Sequence, residues 1–135
     1  MAEEFIDFEL PVTDEAVKEF AAAVGADPGT GSAPPTFTTR QIFPVPRAER
    51  EQRLGANLDY ARVLHGEQEF VYKRLPRVGE TLKGRMRISK DFEKEGKRGG
   101  SMRFVTYESV FKDSDDQEVL TAYYTVLQTS KDAAS

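Results

Sequence analysis

His65 is the sole histidine of the chain, and imidazole is the side chain whose ordinary pKa suits acid–base work near neutrality. It stands in LHGEQEF, just before a predicted strand, with Asp59, Glu67 and Glu69 close in sequence. A carboxylate within hydrogen-bond reach of the ring would complete an acid–base pair, so His65 with Asp59 or Glu67 is the candidate catalytic set. The plainer reading is structural, since a lone histidine more often packs than reacts. A second set is basic. Arg74, Arg77, Lys97 and Arg98 fall in or beside glycine-bearing turns, where arginine and backbone N–H groups suit a phosphate. Taken singly, each is more simply a solvated turn charge, and in RLPRVGETLKG the residues Pro76 and Gly79 shape an ordinary turn. One histidine with carboxylates makes a poor zinc site, and the chain has no cysteine, so disulfides, thiol catalysis and cysteine-type metal sites drop out. No P-loop, GxGxxG, GxSxG or HExxH motif occurs, and no cofactor is expected.

Alternation of apolar residues defines the elements that must hold these groups. Ile6, Phe8, Leu10 and Val12 alternate with polar residues as a short strand that Pro11 puts at an edge or an end. Thr13 has the character of a helix N-cap, followed by Asp14 and Glu15, with Val12 and Val17 spaced as a hydrophobic staple. Val17, Phe20, Ala21 and Val24 form an apolar stripe that Gly25 ends. Residues 25–35 read as a loop, and Phe37 to Phe43 reads as extended. Ala48 to Leu64 has helical composition interrupted by Gly55, Asn57 and Asp59, with Leu54, Leu58 and Ala61 on one face, which predicts a short or broken helix.

From residue 66 the pattern is that of strands, with the last three predicted at about 80–92, 101–112 and 117–129. Phe104, Tyr107, Phe111, Tyr123 and Tyr124 read as core and interface. Strands joined by short turns pair antiparallel, and the helical segments are the available cover for one face. This predicts an α+β fold, a curled antiparallel sheet on helix, in one domain spanning residues 1–135. The open edges of such a sheet call for a second subunit. Charged residues make up 31% of the chain and the net charge is −4, which gives no reason to expect nucleic acid. The N-terminus lacks a signal-peptide pattern and no apolar run has membrane-spanning length, so the expectation is a cytoplasmic protein without a membrane role.

Several stretches carry a resemblance. DEAVKEFAAAVGADP, APPTF, LDYARVLHGEQEFVYKRLPRVGETLKGRMRI and EKEGKRGGSMRFVTYESVF look like the N-terminal hot-dog half of MaoC-like, or fatty-acid-synthase-type, dehydratases. The resemblance implies a hot-dog fold, a long antiparallel sheet wrapped around a central helix that is broken in this chain. It implies chemistry on (R)-3-hydroxyacyl thioesters of coenzyme A or acyl carrier protein, performed by two hot dogs side by side. The catalytic half in such pairs carries an Asp-x-Asn-Pro-x-His motif, whose Asp and His activate water. Here there is no Asn-Pro dipeptide, and Asp59 precedes His65 by six residues rather than five. DYARVLHGEQ matches the non-catalytic half instead, and a broken central helix would leave space for a long acyl chain.

The expectation is therefore a tunnel-forming, non-catalytic subunit of an (R)-specific enoyl-thioester hydratase or 3-hydroxyacyl dehydratase, inactive alone. Its partners would be an acyl-CoA or acyl-carrier-protein thioester and a second hot dog bearing the Asp–His motif, or a second copy in a homodimer. The alternatives are a self-sufficient homodimeric hydratase using His65 with Asp59 or Glu67, an acyl-thioester binding module, and a hot-dog thioesterase using Glu49, Glu51 or Asp59.

Overall fold

The computed structural model describes residues 3–25, 31–95 and 100–129. Strand β1 (Ile6–Pro11) leads into helix α1 (Asp14–Val24). The Thr13 hydroxyl caps α1 by accepting from the Ala16 N–H at 3.0 Å, and Gly25 ends it in the left-handed conformation. Val12 and Val17 are both fully buried, as the staple requires.

The middle of the chain departs from its predicted course. Phe37–Ile42 is a 3-10 helix rather than an extended segment, with Phe37 and Thr38 turned into the interior. Helix α2 spans only Arg47–Leu54. Gly55 stops it with φ of 70°, and Asn57 also takes a positive φ, so the face expected to run on through Leu58 and Ala61 never forms. A 3-10 turn at Tyr60–Arg62 follows, and β2 begins at Val63, so His65 lies inside the strand and not ahead of it.

Four strands complete the sheet: β2 (Val63–Tyr72), β3 (Thr81–Glu95), β4 (Ser101–Lys112) and β5 (Glu118–Thr129). All pairings are antiparallel, in the order β1-β3-β4-β5-β2, so β1 and β2 are the edges. The last three strands lie where alternation put them. Asp113 shapes the turn between β4 and β5, its carboxylate accepting from the N–H groups of Asp115 and Gln117. Lys97 and Arg98 lie outside the described residues.

The inner face of the sheet carries two apolar clusters. One gathers Leu10, Val12, Val17, Phe37, Leu82, Phe111 and Leu120 around α1 and the Phe37 turn. The other gathers Ile6, Val45, Leu54, Met86, Val105, Tyr107 and Val126 around α2. Phe8 touches both, and it lies over Gly84, where a Cβ would come within 2.3 Å of its ring. The aromatic stripe divides by alternation: Tyr107, Phe111 and Tyr124 face inward, while Phe104 and Tyr123 sit at outward positions. Among the described residues no helix is long and apolar enough to cross a membrane.

Candidate functional site

The charged half of α2 builds a polar enclosure on the inner face. Arg50 and Glu51 share a side with Leu54, four and three residues on, and Leu54 is buried. The Arg50 and Glu51 side chains are only 11% and 16% exposed. Glu51 Oε1 accepts from Tyr107 OH at 2.5 Å, from Tyr60 OH at 2.8 Å and from Arg50 Nε at 3.1 Å. Arg50 Nη2 also donates to Tyr60 OH at 2.8 Å. The guanidinium lies 4.1 Å from the Tyr107 ring centroid and 5.5 Å from that of Tyr124, which adds cation–π attraction to the ion pair. Glu51 Oε2 is buried and takes no hydrogen bond from the described residues. Burial, with the Glu51 carboxylate beside them, holds the Tyr107 and Tyr60 phenols above their ordinary pKa. Both phenols therefore keep their protons and serve as donors at neutral pH.

Sequence reasoning weighed Glu51 only as one of three carboxylates for a thioesterase and did not find Arg50, Tyr60 or Tyr107. The signal for Arg50 and Glu51 was their spacing to Leu54. Tyr107 and Tyr60 lie 56 and 9 residues from Glu51 and meet it only through the fold. Of the other two carboxylates, Glu49 pairs with Arg53, which also holds Glu3. Asp59 caps the Tyr60–Arg62 turn, accepting from the Ala61 N–H and from Arg62 Nε, both at 3.1 Å.

The sequence candidates around His65 are not drawn into one constellation. The exposed His65 ring packs on Tyr124, centroids 4.9 Å apart, at the rim of the polar enclosure. His65 stands opposite Val126 and Glu67 opposite Thr125, with the register broken between them at Gly66. That bulge sends two residues that would share a face in a regular strand to opposite faces. Glu67 accordingly lines an outer groove with Arg87, Lys90, Thr106, Tyr123 and Thr125.

Among the basic candidates, Arg74 is half-buried and engaged. It makes a two-pronged pair with Glu80 at 2.7 and 2.8 Å and reaches Asp113 at 3.4 Å, tying two turns together. The Arg77 side chain is exposed, while its backbone N–H donates to Glu80 at 2.6 Å. Among the described residues no three histidine or carboxylate groups converge as a metal site requires.

Residues 26–122 match the family model described as the FAS1-like dehydratase domain region. The chain is 34% identical to a UPF0336 protein of Clavibacter michiganensis, over 88% of this chain and 85% of that one. In structure it resembles a C-terminally truncated HadBC (3R-hydroxyacyl-ACP dehydratase) complex from Mycobacterium tuberculosis. The TM-score is 0.72 and the identity 22%, with 91% of this chain and 93% of that one covered. It also overlays a MaoC-like dehydratase with a TM-score of 0.74 and 20% identity, covering 97% of this chain but 43% of that longer one. At such identities the structural likenesses establish the hot-dog fold.

Proposed function

Because the chain belongs to the FAS1-like dehydratase-region family, we propose that it is the non-catalytic, site-shaping subunit of an (R)-specific enoyl-thioester hydratase or 3-hydroxyacyl dehydratase. A second hot-dog subunit supplies the Asp–His pair in this reading. The observation that carries it is the dispersal of the acid–base candidates. His65 leans on Tyr124, Glu67 points to the other face of the sheet, and Asp59 is spent on the Ala61 N–H and Arg62. Hydration of an enoyl thioester needs one group to take a proton from water while a donor meets the developing enolate oxygen. Glu51 Oε1 is taken up by two phenols and a guanidinium and its Oε2 is buried, which does not suit a base that must meet water.

The likeness in fold to a subunit of HadBC, a dehydratase complex, supports a hot-dog partner. So does the overlay on less than half of a longer MaoC-like chain. The sheet offers the place: β2 is an edge strand, with Leu64 and Val71 exposed along it, and an uncovered apolar edge invites another chain. In this reading residues 1–135 act as one hot-dog domain, the acyl thioester lies across the two subunits, and Arg77 is the described basic candidate exposed to meet a phosphate.

Co-expression with a hot-dog subunit of the same source bearing Asp-x-Asn-Pro-x-His tests the reading. The expected result is co-elution on size exclusion and crotonyl-CoA hydration at least about a hundredfold faster than by this chain alone, the size of a missing acid–base group. Ordinary turnover by the lone chain, abolished by His65→Ala, would replace it with the self-sufficient homodimer.

A further inference from the structure

The proposed function gives the inner face of this chain part of an acyl group to accommodate, and the inner face changes character along the strands. Ser109 and Ala122 stand opposite each other, both buried and both small. The next inward pair is Tyr107 and Tyr124, with ring centroids 6.4 Å apart and Arg50 over both. Above that step sit the Arg50–Glu51 ion pair and Tyr60, joined to one another by three hydrogen bonds and to Tyr107 by a fourth. The break in the helix was expected to leave room for a long chain, yet the underside of α2 is filled by these side chains.

We infer that the Arg50–Glu51–Tyr60–Tyr107 cluster closes the acyl site at this level and makes the assembly selective for short acyl thioesters. The inference rests on the proposed function. A growing alkyl chain gains about fourfold in affinity with each methylene it buries against apolar groups. Past Tyr107 that gain stops. Further methylenes would have to displace a guanidinium and a carboxylate already out of water, and separating a buried pair leaves each charge uncompensated. Three donors converge on one carboxylate oxygen, so a single CH2 cannot intrude without breaking several bonds at once. The cluster thus determines specificity without touching the reacting atoms.

The test uses the complex with the motif-bearing hot-dog subunit and compares kcat/KM for trans-2-butenoyl-, octenoyl- and dodecenoyl-CoA. The expected profile falls by about tenfold or more toward dodecenoyl-CoA, the scale on which a pocket discriminates by fit. Arg50→Leu combined with Glu51→Leu removes both charges and should recover most of that loss, chiefly through KM. Should that pair fail to fold, Glu51→Gln with Tyr107→Phe keeps the side-chain volumes and should move the profile the same way by a smaller factor. An active complex that takes dodecenoyl-CoA as well as butenoyl-CoA, or a profile that neither double variant moves, overturns this inference and leaves the proposed function standing. Failure to form a complex, or a complex inactive on all three substrates, overturns both.

Discussion

Glu51 illustrates how one side chain can be charged, buried and still stabilising. Its Oε1 collects three donors, and the paired guanidinium is itself clamped between Tyr60 and the aromatic floor. Glu51→Ala leaves the Arg50 charge and two phenol donors without their acceptor. An uncompensated, largely buried charge costs several kcal/mol, and the residual exposure reduces this, so we expect a loss of about 2–3 kcal/mol in urea unfolding. A change below about 0.5 kcal/mol would mean that the cluster is solvated in solution. His65 is the opposite case. Its ring is exposed and lies against the Tyr124 ring. His65→Ala should cost under about 1 kcal/mol, within the range of surface substitutions. It should leave the hydratase rate of the assembled complex within about twofold. A loss of two or more orders of magnitude would return the histidine to the chemistry.

Turns and strand crossings depend on local pairs. Arg74 joins the turn before β3 to the turn after β4 through Glu80 and Asp113. The hydrogen bond from Arg74 holds the Glu80 carboxyl below its ordinary value, with the Arg77 N–H and the charges of both arginines adding to it. A carboxylate with a lowered folded-state pKa contributes stability that is full above its unfolded value and is lost as the pH falls through the folded one. Melting temperature should therefore decline on acidification from about pH 5 downward. Arg74→Gln should lower it at neutral pH and flatten that decline. Parallel curves for wild type and variant would remove the pair from the account. Gly84 makes a steric demand. Its place under the Phe8 ring, at the junction of both apolar clusters, leaves no room for a methyl group. Gly84→Ala should cost about 1–3 kcal/mol, the usual range for overpacking, and a neutral result would show that the Phe8 ring swings aside freely.

At the scale of the whole molecule, the uncovered β2 edge should shape behaviour in solution. The lone chain should self-associate at micromolar concentration, because pairing of like subunits is the commonest way to cover an edge. Size exclusion with light scattering reads this directly. A strict monomer, neither dimerising nor binding a motif-bearing hot dog, would count against the partner. The α+β fold and the three long C-terminal strands were legible in the residues themselves. Alternation in Leu82, Gly84, Met86 and Ile88, the Thr13 and Gly25 caps and the polar turn at 113–117 are local signals, each set by the chemistry of a few neighbouring residues. Departure from the Asp-x-Asn-Pro-x-His spacing was equally plain in the chain. The rest was decided only in three dimensions. A single bulge at Gly66 put His65 and Glu67 on opposite faces, and whether a strand bulges depends on the partner strand it must fit. The run AEREQR is nearly all charged or polar, and it holds an enclosed ion pair because β4 brought Tyr107 from 56 residues away to meet Glu51. Burial of a charge depends on which distant groups arrive to satisfy it, and sequence spacing does not carry that information.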